Sequence, residues 1–145
     1  MRSVAQILSR KGSNTVSVSP QSTVLEALRI MAEKNIGSVM VMEQDQLVGI
    51  MTERDYSRKV ILKGKSSTDT PVVEIMSTGF PKVTPRDTIE TCMQLMSEKN
   101  IRYLPVYDSD NQLSGIVSMN DVVRETISAQ AETISSLKDY MHSGL

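Results

Sequence analysis

VSPQSTVLEALRIMAEKNIGSVMV, residues 18–41, returns as VTPRDTIETCMQLMSEKNIRYLPV, residues 83–106. Val, Pro, Thr, Met, the run Glu-Lys-Asn-Ile and a closing Val coincide without a gap. After one extra residue in the second copy, QLVGIMTERD (46–55) falls on QLSGIVSMND (112–121). The lead-ins agree more loosely: Val4, Ile7 and Leu8 against Val72, Ile75 and Met76. Self-similarity of this kind marks a tandem duplication of one supersecondary unit. The polar stretch KGKSSTDTP reads as the joint. The expected division is 1–64 for the first repeat with an N-terminal helix, 65–71 for the linker, and 72–145 for the second repeat with a C-terminal helix.

Each copy has the same coarse reading. A short strand (16–18 or 82–84) enters a Ser-Pro or Thr-Pro turn, and the proline presets the entry into a helix. Val24, Ala27, Leu28 and Met31 recur at helical spacing there, as do Ile89, Cys92, Met93 and Met96. Asn35 and Asn100 mark the helix ends. Two apolar strands follow (38–42 with 47–51; 103–107 with 113–117), joined through EQDQ or DSDNQ as a hairpin. A second helix starts at Thr52 or Ser118. The fold class is therefore α/β (α+β), two β-α-β-β-α repeats. One such unit of about 55 residues buries too little surface to stand alone, so the copies are expected to pack through their sheets.

Composition narrows the function classes. At 145 residues the chain is one ordinary domain or two very small ones. A net charge of −1, with scattered Lys and Arg, offers no basic stripe for nucleic acid. No apolar run approaches the roughly 20 residues of a membrane span. The opening MRSVAQILSRKG lacks a long apolar segment and a cleavage site, and reads as mature structure. The single cysteine, Cys92, cannot form an internal disulfide. That suits a reducing compartment, the cytoplasm or an organelle matrix if the chain is a processed form.

The order of elements, the paired VxP starts, NIGSVMV with NIRYLPV, and GIMTERD with GIVSMND together resemble a tandem CBS-domain pair, the Bateman module. The resemblance runs from about residue 4 to about residue 128 and is closest to small stand-alone two-CBS proteins of bacteria and plant organelles. It implies pseudo-twofold symmetry, clefts between the repeats that take adenosine nucleotides such as AMP, ATP or NAD, and frequent dimerisation. The function it implies is a regulatory sensor that passes ligand occupancy to a partner by a change of conformation.

TERD and SMND carry two readings. As local motifs they are capping boxes, with Thr52 or Ser118 accepting from a first-turn amide and Asp55 or Asp121 reaching back. As a ligand site, the helix start with the Thr52 or Ser118 hydroxyl receives a phosphate, and Asp55 or Asp121 accepts ribose hydroxyls. The resemblance carries adenine recognition to Thr15, Val16 and Ser17 with Ile36, Gly37, Ser38 and Val39 in the first copy. In the second it carries it to Phe80 and Pro81 with Tyr103, Leu104 and Pro105. For the apolar members, core packing is an equal alternative. Arg102 replaces Gly37 and Lys82 replaces Ser17, giving one copy cations suited to phosphate. Arg54, Arg58 and Lys59 follow Thr52 and either meet a distal phosphate or form a solvated face; the second copy lacks the cluster.

No catalytic constellation stands out. His142, the only histidine, lies near the C-terminus, and Cys92 falls on a core-facing position, so no enzyme, catalytic cofactor or metal site is expected. Magnesium bridging bound phosphates stays open. The segment VVRETISAQAETISSLKDYM, with apolar residues at helical spacing, points to a homodimer. Two other functions remain in play: a constitutive interaction module with empty or vestigial clefts that holds an unknown client protein, and thiol redox sensing through Cys92.

Overall fold

The computed structural model describes residues 2–12 and 16–143. Its elements run α1 (Val4–Lys11), β1 (Ser17–Val18), α2 (Val24–Lys34), β2 (Ser38–Glu43), β3 (Gln46–Thr52), α3 (Glu53–Tyr56), α4 (Ile89–Lys99), β4 (Tyr103–Tyr107), β5 (Leu113–Ser118) and α5 (Met119–Ser143). A π-helical turn, Ser57–Ile61, continues α3, and a 3-10 turn spans Val72–Glu74. The fold class read from the repeats is the one observed.

Local chemistry sets the boundaries. Thr23 caps α2 by accepting from the Glu26 amide while Glu26 accepts from the Thr23 amide, and Thr88 accepts from the Thr91 amide at the start of α4. Asn35 and Asn100 end these helices in the left-handed conformation, φ 54° and 53°, which asparagine tolerates better than other non-glycine residues. Gln44 and Asp45 both have positive φ, so the β2–β3 hairpin closes on a two-residue turn whose twist suits its strands. At the β4–β5 turn Asp108 Oδ1 accepts from the amides of Asp110 and Gln112. Each antiparallel pair carries a register shift at the same place, Val41/Met42 and Val106/Tyr107.

The chain divides into two compact units, Thr15–Phe80, and Met1–Asn14 with Pro81–Leu145. These compact units are not the repeats 1–64 and 72–145 taken end to end, because each unit takes the lead-in of the other repeat. In the first unit Val72 and Ile75 share a core with Val18, Val24, Ala27, Met31, Val39, Val41, Met51 and Val60. In the second, Val4 and Ile7 share one with Val83, Ile89, Cys92, Met96, Leu104, Val106, Val117 and Val122. The backbone repeats the arrangement. Val72 N donates to Ser22 O and Val4 N to Asp87 O, each at 2.8 Å; Val24 N donates to Thr70 O at 2.9 Å and Ile89 N to Arg2 O at 3.1 Å. The sequence pattern marks the duplication and not this exchange.

Within the first unit, β1 runs parallel to β2 and β2 antiparallel to β3. The strand expected at 82–84 shrinks to a single bridge, Val83 to Val106, leaving β4 and β5 as a two-stranded sheet. The reason is chemical. Met40 N donates to Val16 O at 3.1 Å, and the matching donor in the second copy is Pro105, which has no amide hydrogen. At Gly49 two segments of the chain approach closely: a Cβ there would meet Met76 Sδ at 2.5 Å and displace that side chain, where the lead-in pairs Ser77 with Ile50 through two 2.9 Å bonds.

In the second unit Glu125, 2 % exposed, receives Arg2 Nη1 at 2.9 Å and Arg10 Nη1 at 3.3 Å, and Arg2 also pairs with Glu132. These pairs tie the N-terminal segment and α1 to α5. From residue 130 to 142 α5 is exposed. Truncating either lead-in anchor tests the exchange: Ile7→Ala and Ile75→Ala should each lower unfolding free energy by about 2–5 kcal/mol, read by urea denaturation. A change within about 0.5 kcal/mol would mean that the lead-ins are not core.

Candidate functional site

In each repeat the hairpin delivers its last strand straight into the start of a helix, and the motif residues meet at that corner. Thr52 caps α3: its Oγ1 accepts from Asp55 N at 3.1 Å, while Asp55 Oδ2 accepts from Thr52 N at 3.0 Å. Ser118 does the same for α5, accepting from Asp121 N at 3.1 Å and donating its amide to Asp121 Oδ2 at 2.8 Å. The capping reading therefore holds in both copies. The first helical amides are taken as well, Glu53 N by Gly37 O at 3.2 Å and Met119 N by Arg102 O at 2.8 Å. With the first and third positions bonded within the chain, an anion has at most the second amide of each helix left to it.

Both aspartates are buried, Asp55 at 4 % and Asp121 at 8 % exposure, and a lysine compensates each. Lys59 Nζ lies 2.9 Å from Asp55 Oδ1 and also donates to Ile75 O at 3.0 Å. Lys11 Nζ lies 2.8 Å from Asp121 Oδ2 and donates to Ile116 O at 2.8 Å. The origins differ. Lys59 stands one turn along from Asp55, whereas Lys11 arrives from α1.

The two carboxylates also differ in spare capacity. Asp55 Oδ1 accepts from Ser77 Oγ at 2.7 Å besides pairing with Lys59, and Oδ2 takes both the Thr52 amide and Thr52 Oγ1. Asp121 carries its amide and lysine bonds on Oδ2, and among the described residues its Oδ1 faces only the exposed Arg124 guanidinium at 4.0 Å. One copy is filled by its own side chains, while the other keeps an acceptor oxygen in reserve.

The remaining candidates scatter by role. Thr15 lies outside the described residues. Val16 and Ile36 are half-buried against the first core, and Val39 is inside it; Ser17 is exposed and Ser38 half-buried, both in strand pairing. In the second copy Leu104 and Pro105 are buried, whereas Phe80, Pro81 and Tyr103 are half-buried. Arg54, Arg58 and Arg102 are exposed. The helix passes from α-helical to π-helical between Arg54 and Arg58. Lys82 Nζ sits 4.5 Å from the centre of the Tyr107 ring, a cation–π contact.

Lys11 and Ser77 are the functional neighbours that sequence reasoning missed. The Asp55–Lys59 spacing is readable as a helical pair; Lys11 lies 110 residues from Asp121 and carries no local signal. Among the described residues no helix is long and apolar enough to cross a membrane, and no group of three or more metal-ligating side chains assembles.

Residues 4–61 and 72–128 match the profile of the CBS domain, and the chain belongs to that family. A relative from Arabidopsis thaliana, the CBS domain-containing protein CBSX3, mitochondrial, is 39 % identical over 84 % of this chain, which spans 61 % of the plant protein's length. The CBS domain-containing protein YhcV of Bacillus subtilis is 35 % identical, the match covering 89 % of this chain and 90 % of that one. Among solved structures, a protein with CBS domains from Burkholderia ambifaria MC40-6 superposes with a TM-score of 0.84 at 41 % identity, covering 88 % of this chain and 96 % of its own.

Cys92 is buried in the second core. Desolvation, reinforced by the charge of Asp87, pushes its thiol up to about 11 from the ordinary 9.0. The thiolate is the reactive form, so redox sensing through this residue has no support. The folded state holds the proton more tightly than the unfolded one, so this group's stabilisation is complete below pH 9 and is lost as pH rises through about 11. Iodoacetamide at pH 8 should leave Cys92 unmodified in native protein and alkylate it fully in 6 M guanidinium, as read by intact mass. Rapid native labelling would show the thiol to be accessible.

Proposed function

We propose that the chain is a regulatory module that binds an adenosine nucleotide, AMP, ATP or NAD, at the β5–α5 corner of its second repeat. The reserve oxygen of Asp121 is the observation that carries this. A ribose brings two hydroxyl donors and needs a carboxylate with unfilled acceptor capacity. Asp121 Oδ1 has that capacity and Asp55, saturated by Thr52, Ser77 and Lys59, does not. Arg102 and Lys82 place two exposed cations on the same copy for the phosphates, with magnesium as a companion ion where the ligand is a polyphosphate. The first corner then serves as structure: Ser77 donates to Asp55 where a ribose hydroxyl would.

Signalling needs a conformational difference between ligand states. Lys11 supplies a route. A ribose that engages both Asp121 oxygens competes with the Lys11 ammonium, which tethers the end of α1, so occupancy and α1 docking oppose each other by the same free energy. The client that reads this change is an unidentified protein partner, in the cytoplasm or an organelle matrix.

Calorimetric titration of nucleotide-stripped protein with AMP, ATP and NAD tests the reading. One saturable site per chain is expected. Asp121→Asn removes a charge-assisted contact of about 1.5–3 kcal/mol, weakening binding tenfold or more. Lys11→Gln should strengthen it, and Asp55→Asn should lower thermal stability with little change in affinity. No heat with any nucleotide, in protein that stays folded, would leave both motifs as helix caps and favour a constitutive interaction module.

A further inference from the structure

From Val123 to Met141 α5 carries an apolar seam that no described part of the chain covers. Val123, Ile127, Ile134, Leu137 and Met141 are between 46 and 69 % exposed. Ile127, Ile134 and Met141 recur every seven residues, and Val123, Gln130 and Leu137 form a second seven-residue series beside them. These are the a and d positions of three successive heptads. A seam that holds a period of seven along a straight helix asks for a partner helix wound along it. Other described helices do not serve. α1, α2 and α4 are 8 or 11 residues long and have their apolar faces in their own cores.

We propose that this seam pairs α5 with α5 of a second copy of the chain, as a parallel, in-register, two-stranded coiled coil. The a positions are Ile127, Ile134 and Met141 and the d positions Val123, Gln130 and Leu137; the central Ile134 at a with Leu137 at d is the combination that favours two parallel strands. In that register Gln130 faces Gln130 of the partner, where the two amides bond across the seam. Most other registers bury each glutamine against an apolar side chain without a partner, so one polar layer selects the alignment. The flanking positions agree. Thr126 comes beside Ala131 of the second copy and Thr133 beside its Lys138, with no like charges opposed. From Val123 to Met141 the seam is about 27 Å long. Its apolar area reaches the few hundred Å² at which exposed patches mark interaction sites and stays below the roughly 800 Å² per partner of a tight complex. The dimer is accordingly concentration-dependent.

Sedimentation velocity of the full chain from 1 to 300 µM, paired with cysteine cross-linking, tests this. A monomer–dimer equilibrium is expected, with Ile134→Glu raising the dissociation constant at least tenfold at an unchanged melting temperature, since Ile134 lies outside the core. Leu137→Cys should form a disulfide-linked dimer under oxidised glutathione, and Ser135→Cys, on the outer side of the helix, should not. Cys92 is buried and silent in this assay. A monomer throughout, a dimer indifferent to Ile134→Glu, or a dimer that Leu137→Cys fails to cross-link would overturn the proposal.

Discussion

The hydrogen bonds from Val4 to Asp87 and from Val72 to Ser22 are the constraint on which the rest of the fold depends. A repeat of this size cannot close a core with its own residues. The missing apolar wall comes from the other repeat's lead-in, with Val4 and Ile7 in one unit and Val72 and Ile75 in the other. The same few backbone bonds fix where α2 and α4 begin, since Val24 and Ile89 donate their first amides back to the arriving segment. Duplication and exchange are thus one device: each copy is complete only because the other is on the same chain.

That arrangement also makes the two motif corners unequal. In the first unit the lead-in of the second repeat brings Ser77 to Asp55, filling its acceptor capacity from within. In the second unit the arriving segment is α1, which brings Lys11, a cation, to Asp121 Oδ2, and among the described residues Oδ1 has only the Arg124 guanidinium at 4.0 Å. A buried carboxylate must be compensated, yet a hydroxyl and an ammonium compensate it differently. The ammonium neutralises without filling every lone pair. From two copies of one motif the fold builds one corner whose carboxylate is filled by its own side chains and one whose carboxylate is compensated mainly by a lysine.

Much of the fold was legible. The helix faces through Val24 and Met31, and through Ile89 and Met96, lie in the cores as their spacing predicts, and Asn35 and Asn100 end their helices. These signals are short-range, governed by side-chain periodicity and local backbone sterics. The strand expected at 82–84 failed for an equally local reason, the missing amide of Pro105, which was readable but carried no weight until its pairing partner was known. The candidate site divided along the same line. The Thr52–Asp55 and Ser118–Asp121 caps are contacts three residues apart, whereas the ions that set the state of those aspartates include one 110 residues away.

By itself the sequence determined the duplication, the order of elements in each repeat, the inward faces and the caps, because each follows from patterns within about a dozen residues. Only the tertiary structure decided which lead-in completes which core, which lysine guards which aspartate, and which corner keeps an acceptor open. Those outcomes rest on contacts between segments far apart in the chain, and periodicity within a segment says nothing about which distant segment will cover it.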